Sequence, residues 1–176
     1  LKEMSLKYGY EIVVYDKVKL NNTIVSSSTI RKELSNGNMK RVNRMLGQPY
    51  GVIGEVIHGN EIGRTLGMPT INIIPDPKKL LPPNGVYASK TIIDGKELNG
   101  ITNIGYKPTI VGERKKGVET YIYDYQGDLY GRTLEIHLYN YERSEMKFNS
   151  LKELKESMYK DMEYGKAFFK RTETDQ

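Results

Sequence analysis

Thr133-Leu134-Glu135-Ile136-His137-Leu138-Tyr139-Asn140-Tyr141 alternates apolar and polar side chains along its length. Successive side chains of a strand point to opposite faces, so Leu134, Ile136 and Leu138 form an inner face and Glu135, His137 and Tyr139 an outer one. Outward from this run, Tyr50–His58, Ile71–Ile74, Val86–Ile93, Glu97–Ile104 and Val118–Tyr125 also read as strands. Asp94-Gly95 marks a tight hairpin between two of them, and Gln126-Gly127-Asp128 marks another turn. Short strands separated by turns predict a closed antiparallel barrel or a sandwich. A helix follows. Ser150-Leu151-Lys152-Glu153 is a capping box, in which Ser150 accepts from the Glu153 amide and the Glu153 carboxylate reaches back. Leu151, Leu154, Met158 and Met162 recur at helical spacing and predict a packing face against the barrel. Arg171–Gln176 reads as a frayed end.

Upstream of Gly47 the texture differs. Residues 1–9 read as a helix end closed by Gly9, and Tyr10–Val18 as a short β run. The hydroxyl-rich Val25–Arg31 leads into a helix stopped at Asn36-Gly37, and a second short helix spans Asn38–Leu46. This is the tail of an α/β unit without the partner strands that would bury its sheet face. The expected division is therefore 1–47, an α/β fragment packed as an appendage, and 48–176, the barrel domain. A chain that begins at Leu1 also reads as a piece of a longer one.

Composition narrows the classes. Lys and Arg number 27 against 22 Asp and Glu in 176 residues, a net charge of +5. With no Cys, a disulfide framework, a thiolate metal cage and a cysteine nucleophile are all excluded. No apolar run approaches the roughly 18 residues of a membrane span, and no secretory signal is visible, so a soluble cytoplasmic protein with no membrane partner is expected. Tyr is unusual, at 14 against 3 Phe and no Trp. Amphipathic rings suit a surface-rich β structure or a ring-binding site. The basic balance suits a nucleotide, a nucleic acid or a merely solvated surface.

The chemistry concentrates in His58-Gly59-Asn60-Glu61-Ile62-Gly63-Arg64-Thr65-Leu66-Gly67-Met68-Pro69-Thr70-Ile71-Asn72. Gly59, Gly63 and Gly67 follow a strand, and a glycine loop can turn its amides toward phosphate oxygens while Arg64 adds a planar charged fork. The spacing is neither that of a P-loop nor that of a dinucleotide fingerprint, and an ordinary β connection fits it equally. Thr70 and Asn72, two apart on a strand, share one face. Their hydroxyl and amide oxygens are hard neutral ligands for Mg2+, or else the hydrogen-bonding groups of a strand start. Glu119 shares a face with Tyr121 and Tyr123, opposite Val118, Thr120 and Ile122. An acid among rings is a usable general base; the alternative is a surface carboxylate facing a lysine. His58 and His137 lack triad or metal-spaced partners and read as structural, and Ser26–Ser28 lacks the glycines of a nucleophile elbow.

Together these pieces resemble the riboflavin kinase family. The carrying motifs are His-Gly-x-x-x-Gly-Arg-x-Leu-Gly-x-Pro-Thr-x-Asn at 58–72, Leu81–Ala88, Asn103–Thr109, Glu119-Thr120, Asp128–Gly131 and Arg143–Phe148, in the family's order. The resemblance runs from about Tyr50 to Gly165. It implies a mainly β fold, a six-stranded antiparallel Greek-key barrel with a C-terminal helix, preceded by the α/β fragment. It implies transfer of the ATP γ-phosphate to the ribityl 5′-hydroxyl of riboflavin, giving FMN and ADP, with Mg2+. Gly59, Gly63, Arg64 and Gly67 would then form the phosphate loop, Thr70 and Asn72 would meet Mg2+ and phosphate, and Glu119 would take the ribityl proton. Arg143 matches a position near the flavin. Ile71 stands where the family usually has Ala, and Tyr121 where it commonly has His.

Residues 1–47 resemble the end of the nucleotidyltransferase module that precedes the kinase in bacterial bifunctional riboflavin kinase/FAD synthetases. Ser26-Ser27-Ser28-Thr29-Ile30-Arg31 is similar to that module's Ser-Ser-Thr-x-Ile-Arg element. The module's His-x-Gly-His element is absent from this chain, so residues 1–176 are not expected to adenylylate FMN. Two rivals explain less. A basic Tyr-rich barrel binding single-stranded nucleic acid accounts for charge and rings but not for the ordered 58–72 block or Glu119, so nucleic acid is not the expected partner. A flavin-binding module without turnover is the other.

Overall fold

The computed structural model describes residues 1–108 and 114–174. Thr109 of the Asn103–Thr109 motif and the last two residues of the chain lie outside the described residues. The six expected strands form a closed barrel: β3 (Tyr50–Ile57), β4 (Thr70–Ile73), β5 (Gly85–Ile93), β6 (Lys96–Pro108), β7 (Arg114–Ile122) and β8 (Thr133–Arg143), following β1 (Lys19–Leu20) and β2 (Thr23–Ile24). The order around the barrel is β3-β4-β7-β6-β5-β8, with antiparallel pairs throughout. β5, β6 and β7 are a meander, and β8 returns to lie beside β5, which is the Greek-key arrangement. Among the described residues, closure leaves this six-stranded sheet without an open edge. Asp94 (φ 49°) and Gly95 (φ 77°) supply the paired positive φ angles of a type I′ hairpin between β5 and β6.

The inner face of β8 is as the alternation predicts: Leu134, Ile136 and Leu138 are at most 3% exposed. They pack with Val52 and Val56 of β3, Ile73, Tyr87, Ile104, Val118 and Ile122 in one core cluster. Full burial of each such side chain stabilises by roughly 1.5–3 kcal/mol. Ser89, Thr102 and Thr120 are also fully buried, and their hydroxyls satisfy one another at 2.7 and 2.8 Å across β5, β6 and β7.

Helix α1 (Lys2–Tyr8) is closed by Gly9, and α2 (Ser27–Ser35) is capped by the Ser26 hydroxyl, which accepts from the Thr29 amide. α3 (Met39–Leu46) follows. Leu34, Met39 and Val42 join the barrel's core cluster. Asn43 ties α3 to the barrel, donating to the Leu138 carbonyl at 2.8 Å and accepting from the Tyr50 amide at 2.9 Å. The predicted strand over Tyr10–Val18 is absent. Without a neighbouring strand its backbone gains no ladder, and Val13, Val14, Tyr15 and Val18 are all more than 60% exposed. β1 and β2 form instead a minimal ribbon around Asn21 and Asn22, both at positive φ.

The final helix, α5, spans Leu151–Thr174. Its cap departs from a strict capping box. The Glu153 amide donates to Ser150 Oγ as expected, but the Glu153 carboxylate accepts from the amide of Asn149, one residue earlier. Residues 171–174 are helical rather than frayed, with Thr172 and Thr174 hydroxyls donating back to the carbonyls of Phe169 and Lys170. The C-terminal half is seated on the barrel. Phe169 is 3% exposed and meets Tyr139 edge-on, Asn140 donates to the Tyr164 hydroxyl, and Gly165 lies so close to Tyr123 that a Cβ there would fall 2.3 Å from its Oη. Leu151 stands 62% exposed on the overhanging N-terminal end, outside the packed stripe.

Candidate active site

β4 and β7 are neighbours, and their register sets Asn72 directly opposite Glu119 and Thr70 opposite Tyr121. Odd-numbered Glu119 and Tyr121 point out of the barrel while Val118, Thr120 and Ile122 fill it. Thr70 and Asn72 therefore share the outer face with Glu119, and the Thr70 hydroxyl donates to Glu119 Oε1 at 2.6 Å.

The segment after β3 folds over this pair. Glu61 takes a left-handed conformation (φ 52°) and starts the one-turn helix α4 (Ile62–Thr65). Gly59 lies against Asn72, where a Cβ would fall 2.4 Å from Nδ2, and Asn72 is only 6% exposed. A Cβ at Gly63 would fall 2.4 Å from the Met68 carbonyl and 3.2 Å from Thr70 Oγ1. Both positions thus depend on the absence of a side chain.

Beside this cluster opens a cavity of about 330 Å3 between the barrel wall and the N-terminal half of α5. Gly63, Thr70, Glu119 and Arg143 all line it, so these sequence-predicted residues share one crevice. Asn72 and Gly59 are not among the residues that line it. Arg64 points elsewhere: its side chain is 66% exposed and pairs with Glu61 at 3.2 Å. Gly67 (φ 81°) ends the α4 turn, with open space where a Cβ would be. His58 stacks on Tyr130 at 3.7 Å, and His137 sits 3.0 Å from Glu135 on the outer face of β8.

Much of the cavity lining is apolar and ringed. Tyr121, Tyr106, Phe148, Leu154, Met158 and Met162 line it. Tyr121 meets Tyr123 edge-on, and the Tyr123 hydroxyl donates to the Met162 carbonyl at 2.9 Å. Burial pushes the Tyr123 phenol well above its usual range, so it remains a donor. Arg143 reaches α5, with Nε and Nη2 forking onto Asp161 at 2.8 and 2.6 Å. Sequence reasoning did not single out Asp161. The available signal was an acid placed between Met158 and Met162 on the stripe of α5, where a lone charge would be costly unless paired. A volume of this size, lined by apolar side chains with a few polar groups, suits a ring joined to a polar tail.

The family model described as "Flavokinase: Riboflavin kinase" matches residues 46–169. The chain belongs to the riboflavin kinase family. A bifunctional riboflavin kinase/FMN adenylyltransferase of Bacillus subtilis (strain 168) is 41% identical over 156 residues, covering 88% of this chain and 49% of that protein. The protein of the same name from Escherichia coli (strain K12) is 35% identical over 170 residues, covering 96% and 54%. The chain thus spans about half the length of the curated relatives it matches. Among solved structures, one titled "Crystal Structure of Macrolide-efflux Protein from Streptococcus pneumoniae" superposes with a TM-score of 0.81 at 28% identity, covering 91% of this chain and 52% of that one. Among the described residues, no helix is long and apolar enough to cross a membrane.

Proposed function

We propose that this riboflavin kinase domain transfers the γ-phosphate of ATP to the ribityl 5′-hydroxyl of riboflavin, giving FMN and ADP, in the cavity between the barrel and α5. The observation that carries the reading is the contact of Thr70 with Glu119 in the lining of that cavity, with Gly63 packed against it. Phosphoryl transfer passes through a loose transition state and needs positioning and charge neutralisation more than covalent chemistry. Glu119 accepts the ribityl proton, and Thr70 orients the carboxylate by its hydrogen bond. The glycine loop at 59–67 brings backbone close to the phosphates, with Arg64 at its exposed rim. Tyr121, Met158 and Met162 hold the flavin ring beside Arg143.

Among the described residues, no group of three or more His, Cys, Asp or Glu is arranged to hold a metal. The hydroxyl of Thr70 and the amide oxygen of Asn72 are nonetheless hard oxygen donors on one face, beside Glu119. Such a set fits Mg2+, which keeps several waters and takes further ligands from phosphates. When bound, Mg2+ neutralises charge on the phosphate oxygens.

Residues 1–47 read as the tail of an upstream nucleotidyltransferase module covalently linked in the parent protein. Relatives about twice as long, named as bifunctional enzymes, support this. We place the protein in the cytoplasm, where its nucleotide substrate is available. The test is incubation of residues 1–176 with riboflavin, ATP and Mg2+ followed by chromatographic separation of flavins. FMN without FAD is expected. Riboflavin that is bound but unchanged would leave a flavin-binding module, and oligonucleotide binding that collapses with salt would favour the nucleic-acid reading.

A further inference from the structure

The C-terminal half of α5 is anchored by Phe169, Tyr164 and Gly165, whereas its first three turns overhang the cavity and supply Leu154, Met158 and Met162 to its wall. Where the overhang begins, Arg143 grips the helix. Its Nε and Nη2 fork onto Asp161, Nη2 also donates to Ser157 Oγ at 3.0 Å, and Nη1 donates to the Ser144 carbonyl at 2.9 Å. A guanidinium has five N–H donors, so these bonds leave one for a ligand. Asp161 is 6% exposed and, like Arg143, lines the cavity.

We propose that Asp161 is a positioning residue for flavin binding: its forked pairing with Arg143 sets how closely the overhanging turns of α5 cover the ring-binding end of the cavity. This rests on the riboflavin reading above. An apolar contact of the same size would hold the helix as firmly, but it could slide. A planar two-point fork fixes both distance and angle between β8 and α5. The wall it positions needs such a fixed point, because methionine side chains are flexible and define no geometry of their own. Arg143 accordingly acts mainly through the helix it holds, and only its remaining N–H is available to the ring.

The test compares wild type, Asp161→Asn and Ser157→Ala. Riboflavin affinity is read from quenching of flavin fluorescence without ATP. KM and kcat are read from FMN formation, and folding from thermal unfolding. Asp161→Asn should weaken riboflavin binding and raise its KM about tenfold or more, with kcat at saturating riboflavin and KM for ATP within about threefold of wild type. Ser157→Ala leaves the ion pair in place and should weaken riboflavin binding by about two- to threefold. That second variant keeps the test alive if Asp161→Asn does not fold. Unchanged riboflavin affinity in a folded Asp161→Asn, or in Ser157→Ala when the former does not fold, overturns the proposal. So does a loss of kcat with affinity intact. Wild type that forms no FMN would sink the parent reading instead.

Discussion

The Thr70 hydroxyl donates to Glu119 Oε1 across the β4–β7 ladder at 2.6 Å, diagonal to the register that sets Asn72 against the same glutamate. The hydroxyl fixes the orientation of that carboxylate oxygen. Glu119→Gln keeps the shape and removes the base. Turnover should fall by about 10²-fold or more, while ATP still binds by equilibrium titration. FMN formation near the wild-type rate would remove Glu119 from the mechanism.

Asn72→Asp puts a second carboxylate directly opposite Glu119. Like charges facing each other across strands repel, and a cation relieves that repulsion. The Mg2+ concentration for half-maximal FMN formation should therefore move downward. A Mg2+ titration that superposes on wild type would argue against ligation by this residue.

Gly59 and Gly67 separate crowding from backbone strain. At Gly59 an added Cβ would lie 2.4 Å from Asn72 Nδ2, whereas at Gly67 it meets open space but the backbone sits at φ 81°. Gly59→Ala should displace Asn72 and lower kcat by about tenfold or more, with a melting temperature near wild type. Gly67→Ala should cost about 1–2 kcal/mol of stability, read from denaturant unfolding. Equal kinetic losses in the two variants would contradict this division.

Glu142 lies at a bulge in β8, half-buried, with Oε2 shielded from solvent and lacking a hydrogen-bond partner among the described residues. Asp161 of α5, Tyr123 following β7 and Arg143 beside it are its charged and titratable neighbours. Burial raises its carboxyl from 4.5 to about 7, with Asp161 adding to the effect and Arg143 opposing it. The folded protein thus keeps a proton that the unfolded chain releases at lower pH. That contribution to stability is complete below the unfolded value and is lost as pH rises through about 7. Glu142→Gln should remove this loss, so its melting temperature should exceed that of wild type at pH 8 by more than at pH 5. Parallel melting curves across that range would contradict the assignment.

The barrel was largely legible in the sequence because each strand carries its own two-residue period and each tight turn its own glycine. Leu134, Ile136 and Leu138 face inward, as the period alone requires. The Tyr10–Val18 run shows where local reading stops. Its residues favour a strand, but a strand exists only if another chain segment completes its hydrogen bonds, and no local pattern says whether one will. The stripe on α5 was likewise visible, though its use was not. Leu154, Met158 and Met162 were expected to pack on the barrel, and instead wall a cavity.

Residue type and spacing alone determined the six strands, the glycine loop after β3 and the shared face of Thr70 and Asn72, since these follow from covalent geometry over a few residues. Which distant groups meet was decided only by closure of the barrel. It brought Glu119 onto Thr70, 49 positions away in the chain, and the seating of α5 on the closed barrel set Arg143 against Asp161. Pairing register and the seating of α5 are products of the whole core, where many weak contacts sum to one arrangement, and no short segment contains that sum.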